Sequence, residues 1–264
     1  MAEHLVRLLH EQDTPIAFQL SAEAGWNQTE DDWRMLLRLS PENCFGIDAD
    51  GMLVATATLI CYGKQLGWIG MVLTNRTYQR RGFARTLLLN AIARADKLGI
   101  ESLKLDATDQ GQPLYETLGF RVEQPVERWW RPASDSGGAG PRPAKLPNVD
   151  LPAYGADRSQ LLQALAERST VHTHSDGFCL ARPGRRANYI GPCISQSPEF
   201  ARRSIEACAS QESYWDLLPN NHAALGIAKE LGFSPQRKLI RMVRGRDLRG
   251  REDWIYAIAG FELG

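Results

Sequence analysis

The chain has 264 residues, 43% of them hydrophobic, with 31 basic and 31 acidic side chains and a formal net charge of zero. That is material for one large domain or two small ones with real cores. The balanced charge argues against a nucleic-acid coat or a membrane-surface binder. Five scattered cysteines (Cys44, Cys61, Cys179, Cys193, Cys208) form no CxxC pair and read as reduced core thiols of a cytoplasmic protein. No apolar leader opens the sequence, and no run approaches the roughly 18 apolar residues of a membrane span, so no membrane partner is expected.

In chain order, "TEDDWRMLLRLS" predicts a helix with Thr29 as cap, acids in the first turn and Trp33, Leu36 and Leu37 on one face. "CFGIDADGMLVATATLICYG" predicts two strands joined at the turn signal "DADG". "QLGWIGMVLT" is a third extended run. A helix from about Phe83 to Leu98 carries an apolar stripe at Leu87, Leu88, Ala91, Ile92 and Ala95, and Gly99 ends it. "SLKLDAT" is a buried strand, "PLYETLGF" a short helix between Pro113 and Gly119, and "RVEQPVERWW" an extended segment. The Pro/Gly/Ser-rich stretch "RPASDSGGAGPRPAKLPN" reads as a linker and divides the chain into 1–131, a linker 132–148, and 149–264.

The second part repeats the order. It has a helix at "RSQLLQALAERS", a hairpin across "PGRR", a helix capped by Ser197 at "SPEFARRSIEACA", a strand at "SYWDLL" and a helix ending in a second Leu-Gly-Phe at Gly232. This is the pattern of a divergent tandem duplication.

The stretch "YQRRGFARTLL" joins a strand to a helix. Backbone N–H groups from Arg80 to Ala84 have no helical partner there, Gly82 brings no Cβ, and the helix dipole and Arg80, Arg81 and Arg85 add positive charge. The arrangement suits a pyrophosphate, although it is neither GxxxxGK[ST] nor GxGxxG. By residues alone, an ordinary strand-to-helix turn with solvated arginines is an equal reading.

Followed by "PLYETLGF", the stretch "VLTNRTYQRRGFARTLL" resembles the GNAT superfamily of acetyl-CoA-dependent N-acetyltransferases. Their motif Q/R-x-x-G-x-G/A reads here as Gln79, Arg80, Arg81, Gly82, Phe83 and Ala84, and their tyrosine four residues before the glycine of "LGF" is Tyr115. The match in order and spacing covers about Trp68 to Phe120. The layout is similar to tandem acetyltransferases of the holothin type.

The resemblance implies a mixed α/β fold. It would comprise two tandem GNAT-like domains, each a twisted mixed sheet flanked by helices. It implies acetyl-CoA as co-substrate, with pantetheine entering between splayed fourth and fifth strands and pairing with Val72, Leu73 and Thr74. It implies a diphosphate held by Gln79 to Arg85. Tyr115 would hydrogen-bond or protonate the departing thiolate, and a backbone N–H near Val72 or Leu73 would serve the oxyanion. Thr74 and Arg76 stand where the family has valine and proline, a departure that bears on the bulge of strand four.

The expected reaction is acetylation of a small-molecule primary amine. A non-catalytic acyl-CoA sensor and a protein or peptide N-acetyltransferase are the alternatives. No general base stands out. Asp106 reads as a strand-end carboxylate capping the next loop, and Glu23, Asp31 and Asp32 as solvated helix starts. Trp26, Trp33, Trp129 and Trp130 read as packing. His172 and His174 lack the companions of a metal set and fit better as a wall of the substrate pocket, so no metal is expected. The second part has Pro198 where the cradle needs an N–H, and Ala228 in the place of Tyr115. It reads as a degenerate domain that shapes the acceptor pocket or buries the sheet edge.

Overall fold

The computed structural model describes residues 5–133 and 145–264, so most of the expected linker lies outside the described residues. The first half runs β1 (Val6–Leu8), α1 (Thr14–Glu23), α2 (Glu30–Leu39), β2 (Cys44–Ala49), β3 (Met52–Tyr62), β4 (Leu66–Thr74), α3 (Phe83–Leu98), β5 (Ser102–Ala107), α4 (Gln112–Thr117) and β6 (Arg121–Arg131). The second runs α5 (Asp150–Tyr154), α6 (Ser159–Ala166), β7 (Thr170–His174), β8 (Gly177–Arg182), β9 (Asn188–Ser195), α7 (Pro198–Cys208), β10 (Ser213–Leu217), α8 (His222–Glu230), β11 (Ser234–Gly245) and β12 (Ile255–Ala257).

Local chemistry accounts for the boundaries. Thr29 and Asp32 form a reciprocal capping box at α2. Ser197 caps α7 through the Phe200 N–H. Gly99 closes α3 in the left-handed conformation at φ +69°. Asp50 and Gly51, both at positive φ, make the turn between β2 and β3. The α3 stripe Leu87, Leu88, Ala91, Ile92 and Ala95 is buried as its spacing predicts.

One mixed sheet runs through the whole molecule in the order β1-β2-β3-β4-β5-β11-β6-β10-β9-β8-β7, with β12 on β9. The two halves exchange strands at its centre. β5 pairs antiparallel with β11 of the second half, and β10 pairs antiparallel with β6 of the first. β6 and β11 pair with each other between them. α3 and α4 cover one face of the first half, over Ile69, Leu105 and Met242. On the other face a single apolar cluster joins α2 (Trp33, Leu36), α6 (Leu161, Leu165), Trp68 of β4 and Phe178 of β8. No described helix is long and apolar enough to cross a membrane.

The exchange predicts one folding unit. Residues 1–131 produced alone leave the β5 edge open and β6 without β10 or β11. The full chain is expected to unfold in one cooperative step, and the fragment to give no sigmoidal transition in a urea titration followed by circular dichroism. A cooperative fragment transition would show that β11 is dispensable.

Candidate functional site

β4 and β5 are parallel and pair over Leu66–Ser102, Gly67–Leu103 and Trp68–Lys104. Beyond Trp68 they part. On its other edge β4 carries a bulge, where Met71 and Val72 together oppose Ala57 of β3. Met71 sits at φ +48°, and its carbonyl accepts from Thr56 Oγ1 at 2.8 Å. The bulge therefore forms despite Thr74 and Arg76. A cleft of about 310 Å³ opens at the fork, lined by β4 from Ile69 to Thr74, by Leu105 and Asp106 of β5, and by Gln79 and Tyr115.

The loop after β4 begins with a 3₁₀ turn, Arg76–Tyr78, capped by the Asn75 side chain. Arg80 at φ +63° and Gly82 at φ +91° then reverse the chain into α3. A Cβ on Gly82 would meet nothing within 4 Å, so its conformation, and not crowding, is what favours glycine. The main-chain N–H groups of Arg81, Gly82, Ala84 and Arg85 have no hydrogen-bond partner among the described residues. Thr86 N–H is the first to reach back, to Gly82 O at 3.0 Å. Phe83 is buried under the turn.

The side chains around the loop are mostly fixed. Arg81 donates to Thr77 O and lies over the Tyr78 ring, 4.9 Å from its centroid. Arg85 bridges to Thr117 of α4 at 3.0 Å, and Gln79 to Thr74 O at 3.3 Å. Arg80 and Arg81 are exposed. Tyr115, on the same side of the sheet as α3, packs edge-on against Phe120 at 6.1 Å, and burial pushes its phenol up to about 12.

The opposite wall of the cleft comes from α1 and its following loop (Ala24, Trp26, Gln28), from Arg128 of β6, and from Arg237, Leu239, Phe261 and Glu262 of the second half. Four expectations change here. Trp26 is a cleft residue and not plain packing. Asp106 caps no loop; it makes a bidentate ion pair with Arg241 at 2.9 and 3.0 Å. Asp32 is buried, paired with Arg168 at 3.2 Å, and not solvated. His172 and His174 lie on β7 at the far edge of the sheet and line no part of the cleft; His174 pairs with Asp176. Among the described residues no group of three or more His, Cys, Asp or Glu is placed to hold a metal.

Of the two carboxylates in the cleft wall, Glu262 alone lacks a bidentate partner. Its nearest cation is Arg182 Nη2 at 3.7 Å, and burial raises its pKa above the ordinary carboxylate range. Sequence reading missed it, because nothing local marks a glutamate that reaches the site only through the tertiary fold.

The second half contains the same fork. β9 and β10 pair in parallel over Asn188–Ser213, Tyr189–Tyr214 and Ile190–Trp215 and then diverge. Here the gap is filled by β12. Ile255 and Ala257 pair with Ile194 and Cys193 of β9, Ile258 N–H donates to Asp216 O of β10 at 3.0 Å, and Trp215 Nε1 donates to Tyr256 O at 2.8 Å. The segment then continues into the first half, where Phe261 O accepts from Trp68 Nε1 at 3.0 Å and Leu263 O from Tyr62 at 2.7 Å.

Two family models match the chain. The Acetyltransferase (GNAT) family matches residues 5–120, and an Acetyltransferase (GNAT) domain matches residues 147–257. An uncharacterized N-acetyltransferase of Bacillus subtilis (strain 168), YitH, is 27% identical over 255 residues, 88% of each chain. A Pyrococcus horikoshii protein provisionally named an acetyltransferase superposes with a TM-score of 0.89 at 21% identity, covering 100% of this chain and 97% of that one. A tandem GNAT protein from the clavulanic acid biosynthesis pathway gives 0.59 at 15% identity, over 92% and 98%.

Gly70 of β4 tests the wall. A Cβ there would lie 2.5 Å from Glu262 O, a backbone atom. Gly70→Ala is expected to displace the Phe261–Glu262 segment and to cost about 1–3 kcal/mol of stability, read as a lower urea midpoint. An unchanged midpoint would count against this contact.

Proposed function

We infer that this chain, which belongs to the GNAT acetyltransferases as a tandem of two such domains and is an acyltransferase, acetylates a small-molecule primary amine from acetyl-CoA in the cleft between β4 and β5. The observation that carries the reading is the contrast between the two forks. One is open and adjoins a turn rich in unpaired N–H groups; the other is filled by the chain itself. In this reading residues 1–131 hold the coenzyme, and residues 149–264 supply the far wall of the acceptor pocket.

The residues present fit the coenzyme. Unpartnered N–H groups of Arg81, Gly82, Ala84 and Arg85 form an anion cradle at the start of α3. Val72, Leu73 and Thr74 offer a strand edge for the pantetheine amides. Acetyl-CoA supplies a thioester carbonyl and a thiol leaving group. The N–H of Val72 or Leu73 donates to the carbonyl oxygen as charge grows on it.

Tyr115 donates its O–H to the departing sulfur. A phenol at about 12 is a much weaker acid than a thiol of roughly 8.5, so it holds the thiolate by a hydrogen bond and keeps its own proton. Glu262 takes the first proton of the incoming ammonium, and the second, shed by the nitrogen once the C–N bond has formed and the C–S bond breaks, ends on the departing sulfur; burial brings the basicity of Glu262 closer to the task than an exposed glutamate allows. A cleft of about 310 Å³ walled by Phe261 and Glu262 favours a small acceptor over an extended peptide.

Thiol release from acetyl-CoA in the presence of a panel of small amines and of peptides tests the reading; turnover of peptides alone would overturn the substrate class. Tyr115→Phe is expected to lower kcat about 100-fold at unchanged coenzyme affinity measured by calorimetry, and unchanged turnover would remove the tyrosine from the mechanism. Arg81→Glu is expected to weaken coenzyme binding.

A pH profile tests Glu262. The base must be ionised, and burial holds its folded pKa above the ordinary carboxylate range, so kcat/KM should fall with decreasing pH through a midpoint above that range. Glu262→Gln should lower kcat by about 10²–10⁴ and abolish that limb. A retained limb in the variant would exclude this base.

A further inference from the structure

Two arginines line the cleft, Arg128 and Arg237, and a third, Arg241, stands behind it on Asp106. Arg128 is bound to Asp216 by two bonds of 2.7 Å and lies over the Phe261 and Tyr214 rings. Arg241 is committed to Asp106 and covers the Trp68 ring. Arg237 lines the cleft half-buried, with no hydrogen bond or ion pair among the described residues. Yet it stands directly opposite Arg128 in the β11–β6 register. Like charges facing each other across two strands are unfavourable. Burial and the Arg128 charge both lower its pKa, which reports the same tension.

A register shift between Pro235 and Arg237 puts a bulge beside this residue, a feature that re-aims side chains next to active sites. An unpaired, partly desolvated guanidinium aimed into a cleft beside a second arginine is a site for an anion.

The face of the sheet separates this anion from the coenzyme diphosphate. Along β11, Arg237, Leu239 and Arg241 share one face by the two-residue period of a strand. Arg241 meets Asp106 and Trp68 there, on the side of α1, α2 and Glu262. Met242 faces the other way, into the cluster under α3. The anion cradle at Gly82 opens α3, on that other side. The diphosphate and the Arg237 anion therefore belong to opposite faces, and the acceptor side is the one with Arg237.

We propose that Arg237 binds a carboxylate of the acceptor, so that the substrate is a carboxylate-bearing primary amine of the amino-acid class. The proposal rests on the acetyl-transfer reading above and adds the chemical group that selects the acceptor. Arg237 would hold the carboxylate in a bidentate pair, with Arg128 adding field from behind its own ion pair.

The test uses matched pairs, each an α-amino acid and its α-carboxamide, with small, apolar, acidic and basic side chains. Thiol release is followed at fixed acetyl-CoA, and coenzyme A uptake is measured by calorimetry. The wild type is expected to favour the carboxylate member by about 10- to 100-fold in kcat/KM. Arg237→Gln should erase the preference by raising KM while leaving coenzyme A affinity intact, and Arg237→Lys should restore part of it. Equal turnover of both members, turnover of amides alone, or coenzyme uptake with no carboxylate member acetylated would overturn the proposal and leave the acetyltransferase reading standing. Loss of coenzyme A affinity in Arg237→Gln would overturn it too, by placing the residue on the coenzyme. Absence of coenzyme uptake by the wild type would instead overturn the reading on which it rests.

Discussion

Two parallel strands that diverge inside a protein leave facing rows of N–H and C=O groups without partners, and buried backbone groups must find them. This constraint acts twice in the molecule, at the fork of β4 and β5 and at that of β9 and β10. At the second fork the chain meets it internally, with β12 on β9 and the Ile258 N–H on β10. At the first fork the space stays open as a cleft, and under the proposed function the same demand is met by an extended, amide-bearing guest. The bulge at Met71–Val72 sharpens the distinction, because it breaks the ladder on the other edge of β4 at the height of the cleft.

The exchange of β6 and β11 ties the two forks together. Each half lends a strand to the other, so the edge that β5 would expose is covered by a strand from more than a hundred residues downstream. The buried pairs Arg128–Asp216 and Arg241–Asp106 lie across these exchanged joints. Breaking one partner of such a pair leaves a buried charge and costs about 3–5 kcal/mol, whereas the intact pair adds little net stability. Their value is to register: Arg241–Asp106 sets β11 against β5, and so where Arg237 and Leu239 stand at the cleft, and Arg128–Asp216 sets β10 against β6.

Much of this was legible in the sequence wherever the signal was local. Thr29, Ser197, Gly99 and the Asp-Gly turn are short-range devices, and the helices and the β2–β3 hairpin sit where they predict. The Gln79–Ala84 motif marked the turn before α3. β11 was not legible, because "SPQRKLIRMVRG" has a proline and four cations and looks like a solvated segment. It is a central strand whose Arg241 is neutralised from β5, and only tertiary structure supplies that partner. Glu262 and Arg237 escaped for the same reason. Asp106 stands out in the sequence by its place at the end of β5, but its role as an ion-pair partner depends on the exchanged strand.

The segment from Ile255 to Glu262 links the fates of the two forks. Its first residues fill the opening in the second half, where Pro198 opens α7 and Ala228 stands four residues before Gly232 as Tyr115 stands before Gly119. Its next residues cross to Gly70 and Trp68 and wall the opening in the first half. Filling the one fork is thus the geometric condition for enclosing the other: β12 anchors the segment whose turn delivers Phe261 and Glu262. A duplicated fold with two open forks would have no such wall. The asymmetry between the halves is therefore part of how the open cleft is built, since the half whose fork is filled supplies two of the charged residues that line it, Arg237 and Glu262.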